Sequence, residues 1–209
     1  MTSDTQSATD AALIRALAKR CSAAISESAF ELTTLDQAIG DGDHGLNMNR
    51  GFLAIAEAAE DLAAAPFGAA LQKAGTILVM KVGGASGPLY GSALMAMGKA
   101  APVAPSTPQE AAAMLRAGFE AVKARGRSDV GAKTMLDALA PVLAALEAGG
   151  GAAEVRAAVA QGLEATREMR ATKGRAAFLG ERSIGHIDPG ARSAQVLANV
   201  ACDLAEGAS

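Results

Sequence analysis

The chain has 209 residues, half of them hydrophobic, with only 3% aromatics, no tryptophan and a formal net charge of −3. That length accommodates one domain with a sizeable core. An apolar content drawn from Ala, Leu, Val and Met suits close-packed helices better than sheets, and the acidic balance, with no basic run, gives no electrostatic footprint for nucleic acid.

In chain order, residues 1–8 are small and polar and read as a loose terminus. From about Asp10 the apolar residues Leu13, Ile14, Leu17, Cys21, Ala24 and Ile25 recur at the three-and-four spacing of an amphipathic helix. A second helix is expected from near Gly45, carrying Phe52, Ile55, Ala59 and Leu62 inward, and a third runs from Phe67 to about Lys81 after the break at Pro66. Gly83 to Gly91 is too rich in glycine for a helix interior and reads as a loop. A fourth helix then passes through Leu94 and Met97. The fifth has a plain start: Thr107 as N-cap, Pro108 at the first helical position and Glu110 completing a capping box. Arg125 to Gly131 interrupts the pattern, and a sixth helix follows through Met135, Leu139 and Leu143, with Pro141 expected to kink it. Gly149 to Gly151 is a bare turn before a seventh helix through Val155, Val159, Leu163 and Met169. A polar loop over residues 172–190 precedes the last helix. The reading is all-α: an antiparallel eight-helix barrel or bundle forming a single domain over residues 1–209.

If consecutive helices run antiparallel, as short connections favour, the turns alternate between the two ends. The second, fourth and sixth turns are chemically bare. The first, third, fifth and seventh carry the Asp cluster, Gly-Gly-Ala-Ser-Gly, Arg-Gly-Arg and the 173–190 loop. The alternation therefore predicts one composite site at one end.

The first of those turns holds Asp36, Asp41, Asp43 and His44 among three glycines within ten residues. Clustered carboxylates repel one another unless a cation lies between them, and oxygen ligands suit Mg²⁺ rather than Zn²⁺. A single Asp at a helix end is ordinarily a cap; three so close point to metal. His44 admits several roles: neighbour of the Mg²⁺ site, general base, hydrogen-bond donor to a phosphate, phosphoryl acceptor or helix cap. Gly45 to Asn47, at a helix start, can offer backbone N–H groups to a phosphate. Gly83 to Gly87 has the composition of a phosphate-cradling nest, without the Lys-Ser/Thr that closes a Walker loop. Arg175 and Arg182 are candidates to neutralise a transferring phosphoryl group. Cys21 and Cys202 lack paired spacing, which argues against a thiol metal site or a disulfide framework. No apolar run reaches bilayer length and no leader pattern opens the chain, so a cytoplasmic protein is expected.

Four stretches taken together resemble the nucleotide-binding L subunit of dihydroxyacetone kinases: Asp36 to Met48, Gly83 to Gly91, Gly131 to Asp137 and Gly174 to Ala191. The resemblance implies an eight-helix barrel that holds ADP or ATP through two Mg²⁺ ions at one end. It implies Asp36, Asp41 and Asp43 as metal ligands. It also implies phosphate contacts from His44, Gly45, Leu46 and Asn47 with Gly84, Ala85 and Ser86, and Gly126 and Met135 beside adenine or ribose. Arg175, with a catalytic role, and Asp188, Pro189 and Gly190 are implied to close the site. The implied partners are a K subunit, which holds the sugar, and a phosphotransferase-system donor (the M subunit), with a homodimer left open. A subunit of an ATP-consuming kinase for dihydroxyacetone or another small ketose or tetrose, a nucleotide-state-dependent regulatory module and a Mg²⁺-dependent phosphohydrolase are competing readings of the same residues.

Overall fold

The computed structural model describes residues 3–207, with side chains from residue 7. Its helices are α1 (Ser3–Ile39), α2 (His44–Glu57), α3 (Ala59–Ala63), α4 (Phe67–Lys81), α5 (Ser86–Ala100), α6 (Pro108–Gly126), α7 (Met135–Glu147), α8 (Ala152–Ala165) and α9 (Pro189–Gly207), with 3₁₀ turns at Thr166–Glu168 and Arg175–Ser183. No strand occurs among the described residues. The loose terminus expected over residues 1–8 falls in part on residues 1 and 2, outside the described ones; from Ser3 the backbone is already helical.

Helices consecutive in sequence pack on one another, with α2 reaching α4 directly, and α9 packs against α1, so the order of contacts closes on itself. The core is continuous through this ring: Ile25 and Leu32 of α1, Met48 of α2, Leu78 of α4 and Leu136 of α7 are all inaccessible to solvent. Each such side chain contributes about 1.5–3 kcal/mol by burial.

Several expectations need correction. The first helix runs on to Ile39, so Asp36 is a helical residue rather than part of the loop. The second helix is broken at Ala58 into α2 and α3. Gly87, Pro88 and Gly91, expected in a loop, lie inside α5. Their glycines serve packing, not turning: a Cβ on Gly91 would lie 2.7 Å from Gly75 O and 2.5 Å from a Val79 methyl. The same closeness recurs at Gly68 and Gly98, so α4 and α5 meet backbone to backbone. Pro141, where a kink was expected, lies inside α7, which runs from Met135 to Glu147. The last expected loop is partly ordered as the 3₁₀ turn Arg175–Ser183. The capping box at Thr107 forms as read, with Glu110 N–H donating to Thr107 Oγ1 and Glu110 Oε2 accepting from Thr107 N–H, both at 3.2 Å.

Candidate functional site

The connections after α1, α4, α6 and α8 converge on one cavity of about 580 Å³. The loaded turns meet there as the alternation predicts, except that Arg125, Gly126 and Arg127 of the fifth turn do not line the cavity. A second, open hollow of about 480 Å³ is lined by Arg127 to Ala132 with Thr172 and Lys173, beside the same mouth.

The acidic corner is built by the tight turn from α1 into α2. Gly42 takes a positive φ of 75° there. A Cβ on Gly40 would fall 2.0 Å from Asp36 Oδ1, so only glycine lets the chain pass that carboxylate. Gly45 is equally constrained: its Cβ would fall 2.0 Å from Ala29 O, where α2 leaves against α1. The result brings one carboxylate oxygen from each of Asp36, Asp41 and Asp43 within 4.8 Å of one another. Asp36 is buried while Asp41 and Asp43 are exposed. Three hard oxygen donors at that spacing, open on one side, suit a Mg²⁺ that keeps water or phosphate as its remaining ligands. Asp36 also performs the capping role that its residue type allows: its Oδ2 accepts from the N–H groups of Asp43 and His44 at 2.9 and 3.1 Å.

Opposite this corner, the loop over Gly83–Ala85 opens into α5, with Gly84 at φ 65°, and presents the positive end of that helix to the cavity. Met135 lines the third wall, at the start of α7. Asp188, Pro189 and Gly190, at the start of α9, form the fourth. Arg175 reaches across the mouth and pairs with Asp41, Nε to Oδ2, at 2.7 Å. Both partners are well exposed, so the pair adds little stability.

Not every expected residue reaches the cavity. Gly126 lies behind the wall, where a Cβ would be 3.3 Å from Leu89 Cδ2, and Leu89 is the residue that lines the cavity there. Gly45 and Asn47 are buried beneath the floor, Asn47 against Gly83, and Leu46 is 61% exposed on the outer face of α2. Of the N–H groups at the start of α2, those of His44 and Asn47 are already donated, to Asp36 Oδ2 and Asp43 O. Both ring nitrogens of His44 are engaged as well, by Ser86 Oγ and Ser193 Oγ. Arg182 is exposed and does not line the cavity.

Two residues of the Gly131–Asp137 stretch to which the sequence assigned no role shape the site. Lys133 is 1% exposed, holds a left-handed φ of 63°, and donates from Nζ to Thr166 O and His186 O at 2.6 and 2.5 Å. It ties the start of α7 to the chain leading into α9, and burial lowers its pKa. Asp137, 4% exposed, accepts from Gly131 N–H and Thr134 N–H and so clamps the turn that carries Lys133. The Thr134-x-x-Asp137 spacing is a capping box and could have been found; a lone Lys before an apolar run carries no signal. Asp188 accepts from Ala191 N–H at 2.7 Å, and burial pushes its carboxyl up to about 7.

The fold and site define a class: an all-helical protein with an acidic, cation-suited corner facing helix N-termini across one cavity. The DAK2 domain model matches residues 38–203, and the chain belongs to the DAK2-domain family. It is 44% identical over 173 residues to the PEP-dependent dihydroxyacetone kinase 1, ADP-binding subunit DhaL, of Listeria innocua, covering 83% of this chain and 86% of that one. It is 42% identical over 183 residues to the PEP-dependent dihydroxyacetone kinase, ADP-binding subunit DhaL, of Escherichia coli K12, covering 83% and 87%. The crystal structure of the dihydroxyacetone kinase of C. freundii superposes with a TM-score of 0.70 at 25% identity over 92% of this chain, which spans 34% of that longer one.

Proposed function

We propose that this chain is the ADP-binding, phosphoryl-donor subunit of a phosphoenolpyruvate-dependent dihydroxyacetone kinase, folded as one domain. The observation that carries the reading is the acidic corner Asp36, Asp41 and Asp43, set across one cavity from the start of α5. The printed names of relatives matched over more than four-fifths of both chains support it.

In this reading Asp36, Asp41 and Asp43 hold two Mg²⁺ ions, which when bound neutralise the charge on a nucleotide's phosphates. The backbone N–H groups of Gly84, Ala85 and Ser86 receive phosphate oxygens at the positive end of α5. Leu89 and Met135 supply the apolar wall for the base, and Asp188 to Gly190 close the far side. Arg175 is the catalytic residue. Its guanidinium sits at the mouth on Asp41, and with the carboxylates neutralised it is free to stabilise a phosphoryl group in transfer. The chain needs no nucleophile of its own; it supplies position and electrostatics.

The acceptor is dihydroxyacetone on a separate K subunit, and a phosphotransferase-system protein, the M subunit, regenerates the donor. Phe178 supports docking at the mouth: it lines the cavity and is nevertheless 88% exposed, an apolar ring left on the rim. Two unpaired cysteines and phosphoenolpyruvate chemistry favour the cytoplasm.

Purifying the protein without added nucleotide, denaturing it and measuring released nucleotide and magnesium tests the reading. Near-stoichiometric ADP with about two Mg²⁺ per chain is expected of a nucleotide kept as a cofactor. An empty protein that binds ATP reversibly favours an ATP-consuming kinase for dihydroxyacetone or another small ketose. One that binds neither nucleotide overturns the proposal.

A further inference from the structure

Lys133 combines two costly conditions at one position. It is 1% exposed, and its φ of 63° is left-handed. A buried ammonium costs free energy unless its donors are paired, and a left-handed backbone strains any residue with a Cβ. A methionine would fill the space without the charge, and a glycine would take the turn without the strain. Both conditions at one residue beside the cavity point to a positional need.

Its hydrogen bonds show what is positioned. An ammonium only donates, and Nζ donates to Thr166 O at 2.6 Å and to His186 O at 2.5 Å. The two acceptor segments are already joined without it: Gly185 N–H donates to Arg167 O at 2.8 Å, and Asp188 N–H to Thr166 Oγ1 at 3.1 Å. What Lys133 adds is the start of α7. Among the described residues, no other hydrogen bond runs from residues 131–137 to either segment. Asp137 accepts from Gly131 N–H and Thr134 N–H, so the turn that carries Lys133 is itself fixed. The start of α7 carries Met135, and the chain after His186 carries Asp188, Pro189 and Gly190, which are two walls of the cavity. These walls adjoin: a Cβ on Gly190 would lie 3.6 Å from Met135 N. Neither Lys133 hydrogen bond reaches the turn that holds Asp41 and Asp43, or the start of α5.

We propose that Lys133 is a positioning residue that sets the spacing of the Met135 and Asp188–Gly190 walls, and so determines selectivity for the nucleoside part of the ligand without touching it. The phosphate part is left to the acidic corner and the start of α5. This role rests on the nucleotide reading, in which those two walls receive the base and close the far side. It differs measurably from a brace for the fold. Loss of a brace weakens every ligand alike; loss of a residue that sets two walls weakens only what those walls hold.

The test titrates full-length protein, freed of nucleotide and resupplied with Mg²⁺, with ADP and separately with inorganic pyrophosphate. The wild type should bind ADP more tightly than pyrophosphate. In Lys133→Met that preference should shrink about tenfold, the scale of one buried hydrogen bond, through weaker ADP binding with pyrophosphate affinity unchanged. An equal loss for both ligands, or no loss for either, overturns the proposal. Should Lys133→Met not fold, Lys133→Gly decides: glycine suits the positive φ, the ammonium is gone, and the same loss of preference is expected. A wild type that binds ADP but not pyrophosphate has no separate phosphate part to spare, and overturns the proposal too. A wild type that binds neither ADP nor ATP refutes the nucleotide reading, and this role falls with it. An unchanged preference in the variant refutes the role of Lys133 alone.

Discussion

The two ends of this helical ring are made by the same helices and yet differ in kind. At one end the connections at Pro66, Pro102–Pro105 and Gly149–Gly151 close with ordinary devices, a capping box at Thr107 and glycine turns, and its polar groups are solvated. At the other, Asp36, His44, Lys133, Asp137, Asp188 and Ser193 are buried beside one another, each held by hydrogen bonds. Burying such groups costs free energy unless every partner is supplied. The site end is therefore expensive and exact in its pairings, and the quiet end with the shared core stabilises it.

That contrast can be broken from either side. The largest effect is expected at the acidic corner: Asp41→Ala should lower phosphoryl transfer by about 10²–10³-fold, the scale of losing one electrostatic stabiliser. Its melting temperature without metal should hold or rise, because one of three crowded carboxylates is gone. Full activity in that variant would remove the metal assignment. Gly45→Ala comes next. Its Cβ would fall 2.0 Å from Ala29 O, and the overpacking should cost about 1–3 kcal/mol in a denaturant titration.

A pH effect follows from Asp188, whose carboxyl burial raises from 3.8 to about 7. Between those values the folded protein holds a proton that the unfolded chain has lost, so stability should fall as pH rises from about 4 to about 7. Asp188→Asn should flatten that slope; an unchanged slope would assign it to other groups. Phe178→Ser should raise the KM for the acceptor subunit by about tenfold, as loss of an exposed aromatic anchor does, with nucleotide affinity unchanged. Equal KM values would place docking elsewhere. Smallest of all, Thr107→Ala at the quiet end should cost about 1 kcal/mol of stability and leave nucleotide binding intact.

Much of this was legible in the chain itself. The helices could be read because apolar spacing, Pro66 and the Thr107–Glu110 box are local signals. The acidic corner was legible because three Asp within eight residues conflict with any bland packing role. Even the meeting of four distant loops followed from alternation along the chain. What the sequence could not decide were facts about neighbours in space. Gly87 and Gly91 read as loop residues because their need is the backbone of α4, which only packing brings near. Lys133 carried no signal because the carbonyls that receive it belong to residues 166 and 186. The His44 ring meets Ser193, which is 149 positions away in the chain. Composition and period act along the chain and determined the elements; hydrogen-bond partners and close contacts act across it, and only the tertiary structure could assign them.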